Sequence, residues 1–205
     1  MQSIAILGGT FNPIHNGHIN LAQKAMEQYD LDGILIMPNN KPDYKSDKGI
    51  ASAADRCHMI QLAIEDYPYM SLSDFEIARD GITYTSDTLR LLSDIYKDTK
   101  WYFIMGADSL FYFHKWRKPE EILMYAHILA AVRNDISTDA MRTQIEWLKE
   151  RYNPCNISLL KCDYVDVSSS HIRQSIRNGI DIRGMVPEGI ADYIIEKGLY
   201  TDGQD

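Results

Sequence analysis

Two histidines, His15 and His18, stand three positions apart near the start of the chain, where a short apolar strand gives way to a predicted helix. Gly8 and Gly9 end that strand. Glycines let backbone N–H groups approach an anion closely, and the first turn of a helix adds unpaired N–H groups and the positive end of its dipole. The two imidazoles add side-chain donors. The stretch therefore predicts a phosphate site, although a plain strand–turn–helix with surface histidines also fits the separate pieces.

A second set of anion donors lies near the other end of the chain. Ser168, Ser169 and Ser170 precede a helical pattern and offer helix caps and hydroxyl donors. Arg173 falls on the first turn of that helix, where its guanidinium can bind phosphate oxygens through two N–H groups. Taken alone, this stretch is more simply a serine-capped helix with an exposed arginine.

Three further positions each have two interpretations. Asp108 follows a predicted strand, where its carboxylate could accept hydrogen bonds from ribose hydroxyls or only cap the next helix. Thr85 opens a predicted helix whose free N–H groups could face an anion, or it is a plain N-cap. Lys45 lies in the irregular stretch Pro38–Ser52, which could fold over a phosphate or remain a solvated surface loop.

The elements that must position these residues alternate between strand and helix. The predicted strands are Ser3–Leu7, Gly33–Met37, Ser71–Ile77, Trp101–Met105, Ile128–Val132 and Ile157–Lys161. The predicted helices are Gly17–Tyr29, Ala53–Asp66, Thr85–Tyr96, Pro119–Tyr125, Thr138–Arg151, Ser169–Arg177 and Pro187–Lys197. Nearly continuous apolar strands indicate burial on both faces. The order predicts an α/β, Rossmann-like, doubly wound and mostly parallel sheet with helices on both faces, which binds ligands at the carboxyl ends of its strands.

Composition narrows the class of protein. The 205 residues suit a single domain, with the C-terminal helices from about residue 169 packed on it. A net charge of −8 argues against a nucleic-acid-coating protein but not against a nucleotide site, which needs only local cations. Three scattered cysteines indicate neither a disulfide framework nor a zinc site. No apolar run approaches the ~18 residues of a membrane span. We expect a cytoplasmic protein that is not bound to a membrane.

The string from Gly8 to His18 contains the H-x-G-H signature of the nucleotidyltransferase superfamily. More closely, it resembles the first motif of bacterial nicotinate-mononucleotide adenylyltransferases. Other stretches resemble later motifs of that family in the same order, namely Gly81–Leu89, Gly106–Leu123, Val167–Arg173 and Gly179–Tyr200. One segment departs from the pattern: Asp43 and Tyr44 stand where the family commonly has proline and histidine, while Lys45 keeps the cation.

The resemblance implies transfer of AMP from ATP to nicotinate mononucleotide, giving nicotinate adenine dinucleotide and pyrophosphate. It implies that the ATP phosphates contact a set of donors consisting of His15, His18, Ser168, Ser170, Arg173 and Lys45. His18 would lie nearest the α-phosphate. The ATP-binding loop would consist of Gly8, Gly9, Thr10 and Phe11, and the adenosine ribose would lie at Gly106 and Asp108. The mononucleotide would contact Thr85, Trp116 and Arg117, with the indole stacked on the nicotinate ring.

Other activities stay open at this point. Pantetheine-phosphate adenylyl or cytidylyl transfer would use the same first motif, although the stretches Gly81–Leu89 and Gly106–Trp116 argue against both. A nicotinamide substrate differs only by an amide in place of a carboxylate, and a nucleotide-binding regulator without turnover is a different class. The sequence shows no cluster of carboxylates that would hold a resident metal ion, so we expect Mg²⁺ to arrive with ATP. A homo-oligomer is compatible with the sequence.

Overall fold

The computed structural model describes residues 1–40, 49–132, 137–163 and 165–201. Its strands are β1 (Gln2–Gly9), β2 (Gly33–Pro38), β3 (Met70–Leu72), β4 (Thr99–Gly106), β5 (Ala126–Val132) and β6 (Ile157–Lys161). They form one six-stranded sheet in the order β3-β2-β1-β4-β5-β6, and every neighbouring pair is parallel. The predicted Rossmann-like α/β fold is confirmed. The strand order reverses between β1 and β4, the point at which such sheets bind ligands.

Eight α-helices lie within the described ranges. They are α1 (Asn16–Gln28), α2 (Ala53–Ile64), α3 (Thr85–Ile95), α4 (Ala107–Tyr112), α5 (Pro119–Tyr125), α6 (Thr138–Lys149), α7 (Ser169–Arg177) and α8 (Ile190–Lys197). Successive residues of β1 face opposite layers. Leu7 is buried in the same cluster as Ile172 of α7, and Ile6 in the same cluster as Leu89 of α3. Burial on both faces explains the apolar strands, because each side chain meets a helix layer.

The third strand is shorter than predicted. The sequence suggests a strand over Ser71–Ile77, but β3 ends at Leu72. Beyond Ser73 the chain turns, because the N–H of Ala78 donates to the carbonyl of Asp74 at 2.8 Å and that of Arg79 donates to Glu76 at 3.3 Å. This turn removes Glu76 from the sheet and carries it toward the site described below.

Two helices differ from the prediction. The sequence predicts no helix at α4, which is only six residues long and begins directly after β4, with Gly106 as its N-cap. Helix α8 begins at Ile190 rather than Pro187, because Gly189 adopts a left-handed φ of 79° that a continuing helix does not allow. The residues from α7 onward pack on the sheet, since Ile172, Ile182 and Ile194 are buried with β1 residues.

The length and polarity of the helices bear on membrane insertion. Among the described residues, no helix is both long enough and apolar enough to cross a membrane.

Candidate active site

The loop between β1 and α1 is folded around the ring of Phe11. This residue has a left-handed φ of 49° and is 2 % exposed. Its ring packs on Gly9, where a β-carbon would lie 3.1 to 3.3 Å from three ring atoms. That spacing is tighter than ordinary van der Waals contact, so a larger residue at this position would displace the Phe11 ring by a few tenths of an ångström. The Phe11 side chain therefore belongs to the core, and its predicted place in an ATP site rests on the backbone around it.

His15 and His18 form a stacked pair at the start of α1. Their ring centroids lie 3.7 Å apart, with 27° between the ring planes. The backbone N–H of His15 donates to Nδ1 of His18 at 3.2 Å. Because Nδ1 accepts this bond, the neutral His18 ring carries its proton on Nε2, which is then the nitrogen that can donate to a ligand. The edge-on ring of Phe11, 4.9 Å away, further orients His18.

Gly17 separates the two histidines and leaves room for the first of them. A β-carbon at Gly17 would lie 3.1 Å from both Cε1 and Nδ1 of His15 and 3.3 Å from Cγ1 of Val167. The His15 ring is 7 % exposed and stacked on its neighbour, so it has little freedom to move away. A glycine at this position of the H-x-G-H motif therefore avoids crowding of the His15 ring.

Helix α7 brings the second set of predicted phosphate residues to this loop. Ser169 Oγ donates to the carbonyl of Pro13 at 2.9 Å, and Arg173 Nη1 donates to the carbonyl of Asn12, also at 2.9 Å. Ser168 caps the helix by accepting the N–H of His171, and its Oγ lies 3.2 Å from that of Ser170. Hydroxyls, a guanidinium and two imidazoles therefore surround two neighbouring helix N-termini, an arrangement suited to a polyanion.

Asn12 organises this region, a role that the sequence analysis missed. Its Oδ1 accepts the N–H of Ala51 at 2.9 Å and the hydroxyl of Tyr200 at 2.8 Å. Its Nδ2 donates to the carbonyl of Gly49 at 2.8 Å. Burial raises the pKa of the Tyr200 hydroxyl well above its usual range, so it stays a proton donor. One amide thus joins the phosphate loop to the segment before α2 and to the C-terminal end.

Arg56 of α2 is a second organising residue that sequence reasoning did not find. It is 2 % exposed, and its guanidinium donates to backbone carbonyls, with Nη1 2.9 Å from those of both Thr10 and Asn39. Burial lowers the pKa of this guanidinium, but these carbonyl bonds replace the lost solvation. Nothing in the local sequence distinguishes Arg56 from a surface arginine, because its partners come from distant loops.

A cavity of about 420 Å³ opens at the carboxyl ends of β1 and β2, beside the phosphate loop. Its lining includes Gly8 and Gly9 as well as Thr85, Trp116 and Arg117. The cavity therefore brings together predicted residues from three separate stretches of the sequence. The volume is typical of small-molecule sites.

The indole of Trp116 lies at this cavity on an aromatic support. Its ring is edge-on to Phe103, with centroids 6.2 Å apart, and tilted against Phe113 at 5.7 Å. Trp116 is half-buried. A rigid, partly exposed indole at a cavity wall can stack on a flat ring at low entropic cost.

Positive charge and a helix N-terminus border the same cavity. Helix α3 begins at Thr85, so its first N–H groups lie at the cavity wall. The guanidinium of Arg117 stacks 4.4 Å from the ring centroid of Tyr84, and its Nη1 lies 3.9 Å from Oδ2 of Asp87. Lys115, which was not predicted, also lines the cavity. The wall is therefore suited to a flat ring that carries an anion.

Gly106 and Asp108 lie at the carboxyl end of β4, adjacent to β1. Gly106 is the N-cap of α4, and Asp108 lies exposed in the first turn of that helix. Ser109, the next residue, lines the cavity. An exposed carboxylate at this position can accept hydrogen bonds from sugar hydroxyls. Lys45, together with Asp43 and Tyr44, lies outside the described residues.

The donor set of the phosphate loop is suited to an anion. Across the ranges that the structure describes, no group of three or more His, Cys, Asp or Glu residues is placed to hold a metal ion. Mg²⁺ prefers carboxylate and phosphate oxygens, whereas this loop offers imidazole, hydroxyl and guanidinium groups. These residues fit a nucleotide whose own phosphates carry the metal.

Comparison with known proteins agrees with this geometry. A family model described as cytidylyltransferase-like matches residues 6–175. The curated relative from Lachnoclostridium phytofermentans, named probable nicotinate-nucleotide adenylyltransferase, is 44 % identical over 200 residues, which are 98 % of this chain and 100 % of that protein. A relative of the same name from Clostridium acetobutylicum is 41 % identical over 201 residues, covering 98 % and 100 %.

Solved structures support the fold. Plasmodium falciparum nicotinic acid mononucleotide adenylyltransferase complexed with NaAD superposes with a TM-score of 0.81 at 20 % identity, covering 98 % of each chain. The same enzyme complexed with APC gives a TM-score of 0.79 at 19 % identity, again covering 98 % of each chain. At this identity the likeness concerns the fold.

Proposed function

The chain belongs to the cytidylyltransferase-like family and, within it, to the nicotinate-nucleotide adenylyltransferases, and we propose that its described site performs their reaction as follows. The adenylyl group of ATP passes to nicotinate mononucleotide, giving nicotinate adenine dinucleotide and pyrophosphate. The observation that carries the proposal is the meeting of two subsites at Gly8 and Gly9, which lead into the histidine loop and also line the Trp116 cavity.

The reaction needs positioning more than proton transfer. A phosphate oxygen of the mononucleotide attacks the α-phosphorus of ATP in line. The new oxygen–phosphorus bond forms as the bond to the bridging oxygen breaks, and pyrophosphate leaves with that electron pair. The attacking oxygen is already anionic at neutral pH, so no general base is required. Catalysis then comes from alignment of the two substrates and from donors aimed at the charge that develops.

The loop supplies those donors. His18, with its proton on Nε2, is assigned to the α-phosphate, and His15 supports it as its stacked partner. Ser168, Ser170 and Arg173 are assigned to the β- and γ-phosphates, because α7 holds them beside the loop. Each donor is preorganised by contacts within the protein, which is the condition for strong electrostatic stabilisation of the transition state.

The cavity supplies the acceptor subsite. The nicotinate ring stacks on Trp116, and its carboxylate lies at the N-terminus of α3, beside Thr85 and within the field of Arg117. A helix N-terminus and a guanidinium favour an anion over a neutral amide, so this subsite prefers nicotinate to nicotinamide. Gly106 and Asp108 are assigned to the adenosine ribose, and Lys45 to the phosphates.

Mg²⁺ enters this scheme as part of the ATP complex. It would offset the charge of the triphosphate and of the departing pyrophosphate. Cys57, Cys155 and Cys162 form no disulfide within the described residues, and we propose a reducing, cytoplasmic setting for the protein.

The test follows the adenylyl group from ATP into the dinucleotide product. The purified protein is incubated with Mg²⁺, nicotinate mononucleotide and ATP that carries a radioactive α-phosphate. We expect the label to appear in nicotinate adenine dinucleotide, with one pyrophosphate released for each dinucleotide. ATP binding without labelled dinucleotide would instead assign the chain to the nucleotide-binding regulators.

A further inference from the structure

Glu76 is a carboxylate in the wall of the cavity assigned to the nicotinate ring. Its Oε2 accepts the hydroxyl of Thr83 at 2.9 Å, and its Oε1 accepts the hydroxyl of Thr88 at 2.7 Å. All three residues line the cavity. Both carboxylate oxygens are therefore engaged by the protein itself, on the two sides of one turn.

That turn is the entry to α3. Thr83 precedes the helix, whereas Thr88 lies one turn inside it and is 2 % exposed. The N–H of Thr88 donates to the carbonyl of Tyr84 at 3.0 Å. Glu76 thus binds residues on both sides of the helix start, and Thr85 lies between them in the sequence. The position of the first turn therefore depends on both contacts.

Arg79 fixes the direction of the hydrogen bonds. Its Nη2 donates to Oγ1 of Thr88 at 2.8 Å, so the Thr88 hydroxyl donates its own hydrogen bond to Oε1 of Glu76. The carbonyl of Arg79 accepts Nδ2 of Asn40 at 2.8 Å, which ties the network to the end of β2. The network has one consistent set of donors and acceptors, and such fully satisfied networks hold a unique geometry.

The contacts of Glu76 also explain how a carboxylate can lie in the wall of a subsite for a carboxylate. A carboxylate beside a bound carboxylate repels it, unless the protein offsets its charge. The two hydroxyl donors and the Arg79 guanidinium provide that offset. The residue is therefore placed to shape the subsite through the turn and not to bind the substrate.

We propose that Glu76 is a positioning residue that holds residues 83–85 so that the first N–H groups of α3 face the nicotinate carboxylate, and that it thereby sets the preference for acid over amide. The proposal rests on the proposed function, which places the nicotinate ring in this cavity. Glu76 contacts Thr83 and Thr88 and not the histidine loop, so its loss should change recognition of the mononucleotide and leave the two histidines in place.

The experiment compares Glu76→Ala and Glu76→Gln with the wild type. Steady-state kinetics give kcat and KM for ATP, nicotinate mononucleotide and nicotinamide mononucleotide. Glu76→Ala removes two hydrogen bonds to a charged group. We therefore expect KM for nicotinate mononucleotide to rise about tenfold or more. KM for nicotinamide mononucleotide should rise much less. The ratio of kcat/KM for the acid to that for the amide should therefore fall. Both kcat and KM for ATP should stay within about threefold.

Glu76→Gln separates position from charge. A glutamine can accept from Thr88 through its carbonyl oxygen and donate to Thr83 through its amide nitrogen, so it can keep both contacts. We expect its KM values to stay within about threefold of the wild type. If Glu76→Ala does not fold, Thr83→Val replaces it, since this variant removes one of the two contacts at a half-buried position. Its KM for nicotinate mononucleotide should then rise, with KM for ATP unchanged.

The outcomes separate the inference from the function on which it rests. If the wild type uses neither pyridine mononucleotide, the proposed function fails and the inference fails with it. If the wild type prefers nicotinate and Glu76→Ala keeps that preference and its KM, only the inference is overturned. A merely structural residue would lower kcat, raise both KM values and lower Tm together, and that result would also overturn the inference.

Discussion

Gly17→Ala tests whether the glycine of the histidine motif is needed to leave room for the His15 ring. The new β-carbon would lie 3.1 Å from Cε1 and Nδ1 of His15 and 3.3 Å from Cγ1 of Val167. The His15 ring must then shift by a few tenths of an ångström. It is buried and stacked at 3.7 Å on His18, so the shift reaches the residue assigned to the α-phosphate.

The size of the effect follows from that displacement. Misplacing a catalytic group by ~1 Å can cost about a hundredfold in rate, so a shift of a few tenths of an ångström should lower kcat about three- to tenfold. Tm should fall modestly. Alanine is favoured over glycine in a helix by up to about 1 kcal/mol, which offsets only part of the ~1 to 3 kcal/mol cost of crowding a packed site.

The assay is pyrophosphate release at saturating substrates, with Tm measured on the same samples. Gly184→Ala is the matched control, because a β-carbon there meets no atom within 4 Å. The double variant His15→Ala/Gly17→Ala shows the route of the effect. Once the ring is gone, only the contact with Cγ1 of Val167 at 3.3 Å remains, so the added methyl group should lower kcat much less than it does in the single variant. A wild-type kcat for Gly17→Ala, or an additive loss in the double variant, would refute the reasoning.

Three further predictions address the two subsites and the sheet. His18→Ala should lower kcat by about 10²- to 10³-fold with little change in Tm, because it removes a preorganised donor; near wild-type turnover would refute the phosphate assignment. Trp116→Ala should raise KM for the mononucleotide about tenfold or more through lost stacking, while KM for ATP stays unchanged in the same assay. Burial holds the pKa of His127 below its usual 6.5. Below pH 6.5 the unfolded chain therefore binds a proton at this histidine more readily than the folded chain does, and the free energy of unfolding falls as pH drops. Urea unfolding at two pH values should show a larger loss for the wild type than for His127→Gln, and equal losses would contradict this.

The order of strands and helices followed from local patterns. Apolar runs such as that in β2 need burial on both faces, so the parallel sheet could be predicted from the chain alone. The bounds of β6 and α7 agree with prediction because polar or capping residues mark their ends. Helix α4 could not be found in this way, since six residues give less than two turns of periodicity.

The site was predictable where its residues carry their own chemistry. The histidines, the serines of α7 and Trp116 lie in motifs with a direct physical meaning. Asn12, Arg56 and Glu76 do not, because their roles depend on partners that only the fold brings near. The bond from Tyr200 to Asn12 spans 188 residues, and Arg56 reaches back 46 residues to Thr10. The local sequence around these residues does not predict such contacts.

The most direct test of the central claim is a substrate panel. Pyrophosphate release is measured with ATP and Mg²⁺ while nicotinate mononucleotide, nicotinamide mononucleotide and phosphopantetheine are offered in parallel. We predict rapid release with nicotinate mononucleotide, much slower release with the nicotinamide form, and none with phosphopantetheine. Equal use of the two pyridine nucleotides would contradict the anion subsite at Thr85, and release with neither would contradict the assigned reaction.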